Sequence, residues 1–219
     1  MPLENKLDAN EARLFGVLIE KSLTTPDQYP LSVHAATAGA NQKSNRAPLM
    51  SLTEGETTGA FARLVVNGLA GRVVPAGSRV EKYRHNGEER LKLEPAKLAI
   101  IAELLMRGAQ TKGELRTRVN RMRPMPTLET LDAHLTVLLK DGWICSVAPA
   151  PGSRAGRFGE TLSLQDQTAV SAQPESAPVS TTAQVGESSL ATRVAALEQE
   201  VESLRGALTS LAGKLGETL

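Results

Sequence analysis

Apolar positions along the first half of the chain fall at helical spacing in three stretches. Asp8 is placed to cap the first, with Glu11 three residues on as its capping-box partner and Ala12, Phe15, Leu18 and Ile19 forming an apolar stripe. Thr24-Thr25-Pro26-Asp27 reads as a turn, and a second helix is expected to start near Pro30 and run through Val33, Ala36 and Thr37. Asn41 to Arg46 is a polar loop ending before Pro48. Thr53 with Glu56 opens a third helix carrying Phe61, Leu64 and Val65, which Gly68 stops. Two short strands follow, Arg72 to Pro75 and Val80 to Arg84, around the turn Ala76-Gly77-Ser78-Arg79.

The same order then recurs. Pro95 starts a helix with Leu98, Ile101, Leu104 and Leu105. Thr111 with Glu114 caps the next, which ends before Pro124. Thr127 starts a third through Leu131, Leu135 and Leu138, closed by Gly142, and a hairpin turns around Gly152-Ser153-Arg154. The letters repeat as well: Leu23-Thr24-Thr25 against Ala109-Gln110-Thr111 and Val33 against Val119 at one offset, Gly68-Leu69 against Gly142-Trp143, Gly77-Ser78-Arg79 against Gly152-Ser153-Arg154, and Tyr83 against Phe158. The reading is a mainly α chain with small β-hairpins (α+β): two tandem winged-helix domains, residues 1–92 and 93–163, each expected to bury its own core.

Residues 164–188 lose all periodicity and turn to Ser, Thr, Ala, Gln, Pro and Val, the composition of a disordered linker. Over 189–217, Leu190, Val194, Leu197, Val201, Leu204, Leu208, Leu211 and Leu215 alternate spacings of four and three, the signature of a coiled coil. Val at a with Leu at d favours a parallel pair, so a homodimer is expected. Arg193 would face Glu198, and Glu200 would face Arg205, across that pair. The alternative is a helix folded back on its own globular part.

Charge adds an asymmetry to this picture. Residues 1–163 hold 22 Lys and Arg against 17 Asp and Glu, and residues 164–219 hold 3 against 7. The front of the molecule is mildly basic, which permits phosphate contact without demanding it. No 18-residue apolar run or basic-then-apolar leader is visible, so no membrane span or secretory signal is expected. Cys145 is the only cysteine, which excludes an internal disulfide and fits a reducing, cytoplasmic setting.

In a DNA-binding winged helix the third helix enters the major groove and the hairpin touches the backbone. Here the third helices carry Glu54, Glu56, Glu129 and Asp132, poor for reading bases. Cations gather elsewhere: Lys43, Asn45 and Arg46 in the polar loop; Arg79, Lys82 and Arg84 on the first hairpin; Lys112, Arg116, Arg118 and Arg121 on the helix before the last; Arg154 and Arg157 on the second hairpin. This predicts salt-sensitive backbone contact with double-stranded DNA, as in a regulator. The competing reading is a protein-interaction scaffold docking an unidentified partner on the acidic third helices. His34, His85 and His134 have no metal-ligand spacing, and no phosphate-cradling glycine loop is present, so neither catalysis, a metal nor a cofactor is expected.

The stretch Leu23 to Val33 (Leu-Thr-Thr-Pro-Asp-Gln-Tyr-Pro-Leu-Ser-Val), the run Asn41-Gln42-Lys43-Ser44-Asn45-Arg46 with Pro48-Leu49-Met50, and Arg107-Gly108-Ala109-Gln110-Thr111 with Gly113-Glu114-Leu115-Arg116 resemble the bacterial YceH family. The likeness covers about residues 8–163. It implies a cytoplasmic tandem winged-helix protein and brings no catalytic residue. Where the family pattern has cysteine before the Asn-Gln-Lys run, this chain has Ala40. The polar run reads equally as a binding loop or as a structural loop tied by its Asn side chains.

Overall fold

The computed structural model describes residues 5–74, 77 and 80–164. Arg79 and the heptad segment lie outside the described residues, as does the linker beyond Leu164.

Helix α1 (Ala9–Thr24) opens with the anticipated capping box: Glu11 N–H donates to Asp8 Oδ1, and Asp8 N–H to Glu11 Oε2, both at 2.8 Å. The second helix, α2 (Val33–Ala40), begins later than Pro30. Leu31–Ser32 instead forms a short strand, β1, and Ser32 caps the helix. Helix α3 (Glu54–Val66) is capped by Thr53 and Glu56, and strands β2 (Ala70–Val73) and β3 (Lys82–His85) complete the first repeat. A short helix, α4 (Gly87–Leu91), which the apolar pattern does not announce, leads to α5 (Pro95–Arg107). The second repeat continues with β4 (Gln110–Thr111), α6 (Lys112–Val119), α7 (Leu128–Lys140), β5 (Ile144–Val147) and β6 (Arg157–Glu160).

The two three-stranded antiparallel sheets have the same order, β1-β3-β2 and β4-β6-β5. Leu31 pairs with Tyr83 in one and Gln110 with Phe158 in the other, so Tyr83 and Phe158 are equivalent as expected. Gly68 and Gly142 are equivalent too: both have φ near +74°, and the residues after them, Leu69 and Trp143, donate N–H to Leu64 O and Leu138 O. The pairing of Val33 with Val119 is overturned. Val33 is the first residue of α2, whereas Val119 is the last of α6. The equivalent caps are Ser32 and Thr111, because a 3-10 turn (Pro26–Gln28) lengthens the first repeat ahead of its helix.

The repeats do not bury separate interiors. One cluster runs from Leu7 and Phe15 through Phe61 to Ile101, Leu135 and Trp143. Helix α1 is buried from Glu11 to Glu20 without a break, and α5 from Leu98 to Arg107. Each is enclosed on all sides because they pack on each other as well as on their own repeats. Gly16 permits the approach: a Cβ there would stand 2.9 Å from Met106 Cγ and 3.2 Å from Ala102 O.

Candidate nucleic-acid interface

Helical enclosure forces the charges on α1 and α5 into the interior, and those charges recruit the cations that the sequence offered to a surface. Glu20 Oε2 takes Arg46 Nη2 at 2.5 Å, and both side chains are almost wholly buried. Glu20 Oε1 takes Arg121 Nη1 at 2.5 Å, and Arg121 Nη2 reaches Glu103 Oε2 at 3.1 Å. Glu103 pairs with Arg107 at 3.2 Å, and Arg107 donates to Asn45 Oδ1. Asn45 precedes Arg46, so the circuit closes, tying α1, the polar loop, α5 and the end of α6. Burial raises the Glu20 carboxyl, but the Arg46 hydrogen bond and the two arginine charges outweigh it and hold it below its ordinary value. Arg13 enters the same interior: its Nη1 and Nη2 donate to Ala40 O and Pro48 O, and burial with the nearby Arg46 charge lowers it to about 10.

The polar run is therefore a structural clasp. Asn41 bonds both N–H and O of Leu52 at 2.8 Å, and Ala47 N–H donates to Met106 O. Asn45 takes a left-handed backbone (φ 59°), and Arg46 donates Nε to Gly39 O. Only Lys43 and Ser44, at the tip, are exposed.

The remaining candidates divide in two. Arg46 leaves the surface for its pairing with Glu20, and Arg157, 8% exposed, leaves it because its side chain lies against the sheet with Nε donating to Ala148 O. Lys112 is held by Asp132 at 2.7 Å; Arg116 donates to Pro126 O at 2.9 Å; Arg118 donates to Gln110 Oε1 at 2.8 Å and stands 3.5 Å from Glu114. Lys43, Arg84 and Arg154 are exposed, and Lys82 is half-buried. Tyr83, buried and stacked on Phe61 at 4.2 Å, separates Lys82 from Arg84, so strand alternation puts both on the face opposite the core.

On the third helices, the exposed face of α3 presents Glu54, Thr58, Ala62, Val65 and Val66; its cation Arg63 is tied to Asp8 at 2.7 Å and Glu11 at 3.0 Å. Helix α7 exposes Leu128, Glu129, Ala133, Thr136, Val137, Leu139 and, at its end, Lys140. Glu56 is turned back on the Thr53 backbone and hydroxyl, which lowers its carboxyl.

Sequence reasoning missed Arg13, Glu20, Glu103 and Arg107. The available signal was a lone charge inside an apolar helical stretch, as in Ile101-Ala102-Glu103-Leu104-Leu105. One contact resembles a nucleophile with its base: Ser22 Oγ lies 2.9 Å from His85 Nε2. Its polarity is the reverse. Gly87 N–H donates to His85 Nδ1, so the proton resides on Nε2 and points to Ser22, which donates to Ile19 O. Burial lowers His85 to about 4. Among the described residues no group of three or more His, Cys, Asp or Glu is placed to hold a metal ion, and no helix is long and apolar enough to cross a membrane.

The helices with their two small antiparallel sheets make an α+β protein consistent with a winged-helix-like fold. The chain belongs to the family described as "Protein of unknown function, DUF480", matched over residues 7–153. It is similar to the UPF0502 protein of Shewanella pealeana, 40% identical across 94% of this chain and 98% of the relative. It is 40% identical to the UPF0502 protein YceH of Salmonella arizonae, across 98% of this chain and all of the relative. The UPF0502 protein of Geotalea daltonii is 44% identical across 77% of this chain and 78% of the relative. The likeness to YceH that the Leu23–Val33 and Asn41–Arg46 motifs pointed to thus holds over most of the chain.

Proposed function

We propose that the chain is a non-enzymatic, cytoplasmic DNA-associated protein, built of two tandem winged-helix units and paired through its heptad segment, which holds duplex DNA by backbone contacts from hairpins and loop. The observation that carries this reading is the outward placement of Lys82 and Arg84 on either side of buried Tyr83. Arg154 on the second hairpin and Lys43 at the loop tip add to it. The third helices carry their exposed cations only at their far ends, Arg63 tied to Asp8 and Glu11 and Lys140 last in α7, so affinity rests on phosphates, stays modest and falls steeply with salt. The test is a mobility-shift titration on duplex DNA at low salt. A shift at micromolar protein, weakened by the triple replacement of Lys82, Arg84 and Arg154 with Ala, is expected; no shift overturns the reading.

A second reading, docking of a protein partner, draws on the α3 face. Val66 is 86% exposed beside Val65 and Ala62, with Glu54 at the helix start. Such a face suits an apolar, basic-rimmed partner better than a phosphate backbone. Under this reading Val66→Lys abolishes partner capture while the triple hairpin variant retains it.

A further inference from the structure

The two repeats return each other's contacts. Asn41 and Asn120 end α2 and α6, and both fold the loop that follows: Asn41 Oδ1 accepts from Leu52 N–H and Asn120 Oδ1 from Met125 N–H. The loop after α2 binds the first helix of the other repeat, with Ala47 N–H donating to Met106 O. The segment after α6 does the same in reverse, with Arg121 on Glu20. The sheets close in the same reciprocal way. Gly87, behind β3, lies against Leu98 in the first turn of α5, and Leu162, behind β6, accepts from Leu7 N–H just ahead of α1. Exchanged contacts of this kind are the mark of a two-fold relation.

The same contacts fix where the hairpins point. Helices α1 and α5 run in one sense, because Arg107 at the end of α5 and Glu20 near the end of α1 are held by neighbouring residues, Asn45 and Arg46. In the first repeat Gly87 lies at the start of α5, His85 is bonded to Ser22 near the end of α1, and Lys82 pairs with Ser32, which follows α1. In the second, Leu162 lies at the start of α1, and Phe158 pairs with Gln110, just past the end of α5. Each middle strand, traced backwards, therefore leads past the ends of α1 and α5 to its hairpin, and both hairpins lie at that end. The exposed Lys43 and Arg123 lie there too, close in the chain to the anchors Asn45 and Arg121.

We infer that one chain spans one DNA duplex with both hairpins at once, Lys43 and Arg123 meeting the phosphates between them. This rests on the DNA reading above and deepens it, by fixing one duplex per chain and adding Arg123 to the contact. The repeats share one interior, so the hairpins are joined rigidly, and the second contact follows the first without a second association. A duplex offers matching phosphates to two parts related by a two-fold axis. The acid of the first hairpin, Glu81, is taken up by Arg72 at 3.2 Å.

The test is fluorescence anisotropy of the full chain on labelled duplexes at fixed low salt, with lengths from below one helical turn of about 10 base pairs to about three turns. Affinity is expected to step up about tenfold or more at the length that admits both hairpins, above the gradual gain from added sites. Arg154→Ala, or Lys82→Ala with Arg84→Ala, removes the step while short duplexes still bind through the other hairpin. These side chains are exposed or half-buried, so the fold holds. Arg123→Ala lowers the salt slope on long duplexes by about one. A smooth length dependence, a step that survives neutralising either hairpin, or an unchanged slope in Arg123→Ala overturns the inference and leaves the DNA reading standing. Absence of binding at every length overturns both. Leu197→Asp with Leu204→Asp, which interrupts the heptad stripe, controls for pairing of chains. The step is expected to remain there; its loss would assign it to two chains and overturn the inference.

Discussion

Glu20 of α1 and Arg46 of the loop after α2 form an ion pair at 2.5 Å with side chains 2% and 0% exposed. The pair is joined through Arg121 to Glu103 of the other repeat. A buried pair of this kind gives little net stability over apolar residues of the same volume, but half of it is expensive, because the survivor is a buried charge without its counter-charge. Glu20→Ala leaves Arg46 in that state, while Arg121 keeps Glu103. Its cost is expected at about 3–5 kcal/mol in urea unfolding. Glu20→Met combined with Arg46→Met recovers part of that loss; a double variant as unstable as the sum of its parts would show that the circuit does not couple them.

Acid lowers the stability of this protein in two stages. His85 is held near 4, below its usual 6.5, so the unfolded chain binds a proton that the folded one refuses. Stability from this group is complete above about pH 6.5 and declines between there and 4, with a slope approaching about 1.4 kcal/mol per pH unit. Glu20 and Glu114, both lowered in the folded state, contribute stability that is lost only at lower pH, as it falls through their folded values. Urea unfolding of His85→Gln between pH 4 and 7 should lack the first stage. An unchanged slope there would assign it to another group.

Close approach of α1 to α5 makes Gly16 intolerant of any side chain. Gly16→Ala forces Met106 and the Ala102 carbonyl aside and is expected to cost about 1–3 kcal/mol by overpacking, although alanine is the better helix former. Thermal unfolding checks the sign; a stabilised variant would mean that the two helices separate freely. Gly55, in the first turn of α3 and clear of close neighbours, is the control, where alanine is expected to be neutral or stabilising by up to about 1 kcal/mol.

Asn45 does two tasks in the clasp, adopting φ 59° and accepting from Arg107. Asn45→Gly keeps the backbone and loses one hydrogen bond, for about 1 kcal/mol. Asn45→Val adds left-handed strain and should cost about 1–3 kcal/mol more. Equal stability of the two variants would remove the conformational role.

Much of the local structure was legible along the chain. The capping boxes at Asp8 and Glu11, Thr53 and Glu56, and Thr111 and Glu114 all form. Gly68 and Gly142 stop α3 and α7 as anticipated. The short strands β1 and β4 were not legible, because two residues carry no period and their partners lie about fifty residues away. The interface was legible only in part. Counting cations found Lys43, Lys82, Arg84 and Arg154, which the fold leaves exposed or half-exposed, and also Arg46 and Arg157, which it buries.

The sequence by itself determined where helices begin and end and that one order of elements occurs twice, because caps, turns and periodicity act over a few residues. Tertiary structure alone decided that both repeats share one interior, and which arginines face water. A charge is solvated or paired according to groups distant in sequence, and Glu20 meets Arg121 only because α1 and α5 enclose each other.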